Sequence, residues 1–208
     1  MANGPMLLVE GKDDKHVTLS LLQHHKVPET FQVKETDGID SLLENLTVRL
    51  LLTDQKRLGV VVDADLSVES RWDAIIARLR VAGYEGLPDK PIPGGTIITP
   101  PDDLHPVVGV WIMPDNLLPG LLEDFVKFLV PAGDPLFDRA RGCVSGIPPE
   151  QRRFPSASTS KAELHTWLAW QEYPGRPLGQ AITTKYLNPE SEHAVRFVAW
   201  LKQLFPPT

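Results

Sequence analysis

Acidic side chains directly follow three apolar segments of this sequence. Glu10 follows MLLV, Asp63 and Asp65 follow LGVVV, and Asp115 comes shortly after VVGVWIM. In an extended chain Asp63 and Asp65 point to the same side, so both can approach one ion. Clustered carboxylates without a nearby histidine or cysteine suit Mg²⁺ or Mn²⁺, cations that serve phosphate chemistry. The pattern therefore predicts a site for a hard divalent cation.

The segments that must position these acids alternate between strands and helices. Residues 6–9, 31–35 and 58–62 have the short apolar runs or period-two alternation of strands, and apolar residues at helical spacing follow each of them. This β-α-β-α-β-α order predicts an α/β fold, a parallel sheet with helices on both faces. Functional groups gather at the carboxyl ends of strands in such a sheet, which is where the acids fall.

The second half of the chain continues the sheet and then becomes helical. A loop rich in proline and glycine (88–101) contains a short strand at 96–99, and residues 107–113 form a further buried strand. We therefore expect a parallel sheet of about four strands. A helix around 121–129 follows, and two more are predicted around 161–172 and 190–204. We expect an α/β domain over 1–130 and a helical C-terminal extension over 131–208, packed on the same domain.

Composition limits the class of protein. The 208 residues carry 27 acidic and 21 basic side chains, a net charge of −6, which argues against coating nucleic acid by bulk attraction. No apolar run approaches the roughly 20 residues of a membrane helix, and the first residues do not have the pattern of a signal peptide. The single cysteine, Cys143, excludes an intrachain disulfide and fits a cytoplasmic protein.

The residues around Glu10 and the aspartate pair resemble the Toprim domain. The resemblance lies in a strand ending V-E-G (9–11), a β-α-β-α arrangement, and a strand ending D-x-D (63–65). Together VEGKDD, VVVDADLS and GVWIMPDN…GLLEDF are similar to a small stand-alone bacterial Toprim-like family of unknown function, itself distantly similar to the overcoming-lysogenisation-defect nucleases. The resemblance covers about residues 5–130.

The resemblance implies metal-dependent hydrolysis or transfer of phosphodiesters in nucleic acid. It implies that Glu10 is a metal ligand or general acid/base and that Asp63 and Asp65 are metal ligands. Asp115 and Glu123 extend the ligand set. Glu123 lies opposite the apolar stripe of its predicted helix, so a solvated surface acid fits the pattern equally well.

Lys12, two residues after Glu10, is the cation that we expect nearest to the site. The family resemblance also implies partners: nucleic acid as the substrate, and a partner ATPase if the domain works beside one. No membrane partner is expected.

Other functions remain open at this point. LGVVVDADLS also resembles the first motif of haloacid-dehalogenase-like phosphatases, in which Asp63 is the nucleophile and Asp65 the general acid. That motif usually opens its domain, whereas a complete βαβα precedes it here, and Glu10 has no role in it. The D-x-D motif also occurs in glycosyltransferases, but in this sequence no glycine-rich nucleotide loop accompanies it. The remaining alternative is a Toprim fold retained as a non-catalytic interaction module.

Histidines are interpreted as surface residues. His16, His24 and His25 lie on or beside the first predicted helix, and two adjacent helical residues do not face one metal ion.

Overall fold

The computed structural model of the chain describes residues 4–207. Its strands in this range are β1 (Met6–Val9), β2 (Gln32–Glu35), β3 (Arg57–Asp63), β4 (Thr96–Ile98) and β5 (Val107–Met113). Its α-helices there are α1 (Lys12–His24), α2 (Ile39–Leu50), α3 (Val68–Val81), α4 (Leu122–Lys127), α5 (Pro135–Ser145), α6 (Thr159–Ala169), α7 (Leu178–Thr183) and α8 (Glu192–Leu204). Two 3₁₀ turns, Pro149–Gln151 and Ser156–Ser158, precede α6.

The strands form one sheet in the order β2-β1-β3-β5-β4. β1, β2, β3 and β5 are parallel, which confirms the predicted α/β class, and β4 pairs antiparallel with β5. Four strands are therefore parallel, as expected, and the short strand predicted at 96–99 is the antiparallel edge of the sheet. Parallel neighbours need a crossover of about a dozen residues or more, and the connection over 99–106 is too short for one.

Helices cover both faces of the sheet. Val60 and Val62 of β3 pack against the apolar sides of α2 and α3, whereas Val61 faces a second core built with α1, α4 and the C-terminal helices. Trp111 and Phe197 meet edge to face in that second core, with ring centroids 5.1 Å apart. This continuous burial on two sides explains why β3 and β5 read as unbroken apolar runs rather than as alternating strands.

The C-terminal region is helical, as predicted, but it contains more helices than the sequence pattern indicated. α5 and α7 were not predicted. α7 is too short to show helical periodicity, whereas α5 carried a usable signal: Asp134 accepts hydrogen bonds from the backbone N–H groups of Leu136 and Phe137, with proline at the first helical position.

The last helix lies directly on the sheet. A Cβ atom at Gly109 of β5 would come within 2.3 Å of the Leu204 side chain, and one at Gly59 of β3 within 2.9 Å of the same residue. Glycine at these positions lets α8 approach the strands closely. Within residues 4–207, no helix is long and apolar enough to cross a membrane.

Candidate metal centre

Glu10 and Asp63 meet at the carboxyl edge of the sheet. β1 and β3 are parallel neighbours with Val9 opposite Val61, so both strands end at the same edge. The Oε1 atom of Glu10 accepts a hydrogen bond of 2.8 Å from the backbone N–H of Asp63. Both side chains are half-buried. The sheet topology therefore brings together two of the predicted site residues, although they are far apart in sequence.

Asp14 joins them from the first turn of α1. Its Oδ2 accepts a 3.1 Å hydrogen bond from the N–H of Gly11, while its buried Oδ1 has no hydrogen-bond partner within residues 4–207. Sequence reasoning missed this residue as a candidate ligand. A signal was present, because Asp14 lies on the same side of the helix as the buried Val17 and Leu21. An acid within an apolar stripe is expensive to bury unless it has a use.

Glu123 reaches the cluster from α4. The alternative of a solvated surface acid was wrong, since only 4% of Glu123 is exposed. On α4 the Glu123 side chain points away from the core that contains Phe125 and Val126, as predicted. However, α6 packs against this side of α4 and covers Glu123. Lys161 of α6 places its Nζ atom 2.8 Å from Glu123 Oε1, and this hydrogen bond raises the pKa of Lys161.

Asp65 lies at the rim of the cluster. β3 ends at Asp63, and the backbone of Asp65 has a φ of 51°. The sequence interpretation assumed that both aspartates lie in one extended strand and point to the same side, and this assumption was wrong. The Asp65 carboxylate is largely exposed and forms an ion pair with Arg71. Arg71 also donates a 2.8 Å hydrogen bond to the carbonyl oxygen of Asp63, which fixes the turn that follows β3.

The remaining predicted residues lie elsewhere around this edge. The Oδ1 atom of Asp115 accepts backbone hydrogen bonds from Leu117 (3.0 Å) and Leu118 (2.8 Å), and thereby shapes the turn after β5. Lys12 is exposed at the start of α1 and lines a polar groove with Lys34 beside the end of β2. A ligand role for Asp115 and a catalytic role for Lys12 stay predictions.

Burial and mutual repulsion dominate the electrostatics of the cluster. Burial, followed by the charges of Asp14, Glu10, Glu123 and Asp65, raises the pKa of Asp63 to about 8. Burial and then the charge of Glu10 raise the pKa of Asp14 to about 7, and burial raises the pKa of Glu10 as well. These carboxyl groups resist ionisation together, so a bound cation would stabilise their charged forms.

The donor set fits a hard divalent cation. Asp63 Oδ1, like Asp14 Oδ1, is buried and has no hydrogen-bond partner in the described part of the chain. Carboxylate oxygens are the ligands that Mg²⁺ and Mn²⁺ prefer. The two unpartnered oxygens, together with Glu10 and the nearby Glu123, are carboxylate ligands of this kind.

Helix capping does not account for the aspartates after β3. The N-terminus of α3 is capped by Ser67, whose Oγ accepts a 3.1 Å hydrogen bond from the N–H of Ser70. Asp63 thus has no capping role, and its burial beside three other acids requires a different explanation.

The fold and this edge define an α/β protein with a cluster of carboxylates at the carboxyl edge of its parallel strands. The chain belongs to the family described as "Protein of unknown function (DUF3226)", whose family model matches residues 4–206. No curated protein and no solved structure matches the chain.

Proposed function

We propose that the acidic edge binds Mg²⁺ or Mn²⁺ and serves hydrolysis or transfer of phosphodiesters in nucleic acid. The observation that carries the proposal is the grouping of the half-buried Glu10 and Asp63 with the buried Asp14, with one buried oxygen of each aspartate unpartnered in residues 4–207. Such a cluster destabilises the apo protein at neutral pH, and cation binding is the function that gives it a use.

The resemblance to the Toprim domain supports the same activity. In that resemblance the V-E-G glutamate and the D-x-D aspartates end two strands of one parallel sheet, and here Glu10 and Asp63 end the neighbouring strands β1 and β3. Asp14 and Glu123 extend the ligand set, so we place Asp14, Asp63 and Glu123 as the principal ligands. Asp65, which pairs with Arg71, is a rim ligand.

A bound divalent cation would polarise the phosphate and stabilise the leaving oxygen. In this proposal Glu10 moves a proton, a role supported by its partial burial, which raises the pKa of its carboxyl group above that of an ordinary glutamate. Lys161 is half-exposed at the mouth of the cluster, where it can contact a phosphate oxygen while it remains close to Glu123.

A nuclease assay with matched variants tests the proposal. Plasmid and single-stranded DNA and RNA are incubated with the wild type and with Mg²⁺, Mn²⁺ or EDTA. We expect cleavage that requires the metal and is lost in Glu10→Gln, which keeps the shape and the hydrogen-bond acceptor but removes the charge. Glu150→Gln, at an exposed position of the C-terminal region, is the control and should cleave like the wild type.

The same variants separate this activity from the phosphatase alternative. A haloacid-dehalogenase-like enzyme would form a phosphoryl bond to Asp63 and would bind aluminium fluoride there, with Glu10→Gln active within a few-fold. The pairing of Asp65 with Arg71 disfavours Asp65 as a general acid. Hydrolysis of a generic phosphomonoester by Glu10→Gln would refute the nuclease proposal. Metal binding without any phosphoester cleavage would instead indicate a non-catalytic interaction module, for which a partner ATPase is one expected partner.

A further inference from the structure

A second group of potential metal ligands lies where α1 ends. His24, His25 and Glu190 each offer one ligand atom, and these atoms all lie within 4.8 Å of one another. His24 Nε2 is 2.6 Å from Glu190 Oε1, and His25 Nε2 is 2.9 Å from the carbonyl oxygen of Pro189. The donors are two imidazoles and one carboxylate, a set different in kind from the carboxylates of the acidic edge.

Two adjacent residues within a helix do not face one ion, but this histidine pair spans the end of a helix. α1 ends at His24, and His25 is its C-cap residue. The two rings meet edge to face with centroids 5.0 Å apart. The turn before α8 contacts both histidines, through Glu190 and Pro189. The third ligand is thus distant in sequence, so the helix pattern alone could not reveal the group.

Backbone hydrogen bonds hold both sides of this group in place. Val27 donates to the carbonyl oxygen of Leu22 across the end of α1. On the other side, Asn188 donates a 2.6 Å hydrogen bond to the carbonyl oxygen of Leu129 and accepts one from the N–H of Glu190. The ligands are therefore presented by two ordered turns, which lowers the entropy lost when a metal binds.

The local charge also favours a cation. The C-terminal end of a helix carries a partial negative charge, and the last turn of α1 directs it toward this group. The hydrogen bond from His24 lowers the pKa of Glu190, so its carboxylate is ionised at neutral pH.

The ligand types select the class of metal. Imidazole nitrogen suits Zn²⁺ and neighbouring transition metals, whereas Mg²⁺ prefers oxygen. Ligands about 2.0–2.1 Å from a tetrahedral Zn²⁺ are about 3.3 Å apart, so His24 and Glu190 need to separate by less than about 1 Å to admit the ion. Both side chains are substantially exposed, which gives them the freedom to do so.

We propose that His24, His25 and Glu190 form a Zn²⁺ site that joins the end of α1 to the start of α8, with water completing the coordination. Three protein ligands and a water are a common arrangement for zinc. The site is independent of the acidic edge and of the activity proposed for it.

Calorimetric titration of the untagged full chain with ZnCl₂, in excess Mg²⁺ to occupy the acidic edge, tests the proposal. We expect one Zn²⁺ per wild-type chain. The affinity for Zn²⁺ should be at least about tenfold lower in His24→Ala and in Glu190→Gln, because loss of a metal ligand weakens binding at least as much as loss of a residue that only hydrogen-bonds to a ligand. Zn²⁺ should also raise the melting temperature of the wild type but not that of the variants.

His165→Ala is the matched control, since His165 is an exposed helical histidine of α6 outside the group. It should bind Zn²⁺ like the wild type. Circular dichroism checks that each variant is folded, and Glu190→Gln keeps the shape of the side chain if His24→Ala is perturbed. Unchanged Zn²⁺ binding in both His24→Ala and Glu190→Gln would overturn the proposal. So would absence of binding to the wild type, or binding that only Asp63→Asn abolishes.

Discussion

Replacing Asp63 with asparagine removes one charge from the acidic edge and keeps the shape of the side chain. The direction of the effect follows from the raised pKa of this carboxyl group. Below about pH 4 the group is protonated in both the folded and the unfolded chain. As pH rises toward about 8, the unfolded chain ionises first, so the wild type loses stability through Asp63. The variant has no such loss, and we expect it to be the more stable protein at pH 8 without metal.

The size of the effect is bounded by the shift itself. The pKa of Asp63 moves from 3.8 to about 8. At pH 8 the ionisation therefore opposes folding by at most about 5 kcal/mol, at about 1.4 kcal/mol for each pH unit. Part of that repulsion is shared with Asp14 and Glu10, which can take up a proton instead, and the group is only half-buried. We expect a gain of about 1–2 kcal/mol for Asp63→Asn at pH 8, once this sharing is considered.

Urea unfolding in EDTA at pH 4.5 and pH 8 measures this effect, with Asp73→Asn at an exposed position of α3 as the control. The control should differ from the wild type by no more than about 0.5 kcal/mol at either pH. Repeating the series with Mg²⁺ should stabilise the wild type more than Asp63→Asn. A variant that is less stable than the wild type at pH 8, or a difference that does not change between the two pH values, would refute the electrostatic reasoning.

The other predictions concern packing and pairing around the site. Lys161→Met leaves the buried Glu123 without its ion pair and should destabilise the metal-free protein by about 1–2 kcal/mol in urea unfolding, a modest value because Lys161 is half-exposed. Gly109→Ala places a methyl group 2.3 Å from Leu204 and should cost about 1–3 kcal/mol by thermal melting. Gly142→Ala, with open space around it in α5, is the control and should stabilise the protein by up to about 1 kcal/mol; equal effects of the two changes would contradict the close approach of α8 to the sheet.

The sequence was sufficient for the elements that depend on local patterns. The apolar runs of β1, β3 and β5 were correctly predicted because both faces of each strand are buried, so each residue of a run contributes to the same signal. The acids that follow them could be placed at one edge because parallel strands end together. The antiparallel β4 was not recognised as such, since its direction depends on the length of a connection rather than on its own three residues.

The parts of the site that depend on tertiary contacts were harder to predict. The burial of Glu123 is a consequence of α6, which covers a side of α4 that the local pattern marks as solvated. The pairing with Lys161 likewise joins two segments that no spacing rule connects. Asp14 is different, because its position within an apolar stripe was visible in the sequence. Its Oδ2 accepts the N–H of Gly11, as an acid in the first turn of a helix often does.

The position of Asp14 supports the proposed cation site. One of its oxygens already satisfies the N–H of Gly11, and an asparagine there would accept the same hydrogen bond without a charge. The second oxygen adds nothing to the helix terminus, and burial and the charge of Glu10 raise the pKa of this carboxyl to about 7. The carboxylate is therefore worse for folding than its neutral analogue at the same place. Acids that lower stability when they ionise, and that come to one edge from different elements, are what a cation site requires. Mg²⁺ titration of Asp14→Asn tests this step: it should bind the ion more weakly than the wild type and unfold at higher temperature in EDTA, and undiminished Mg²⁺ binding would remove Asp14 from the ligand set.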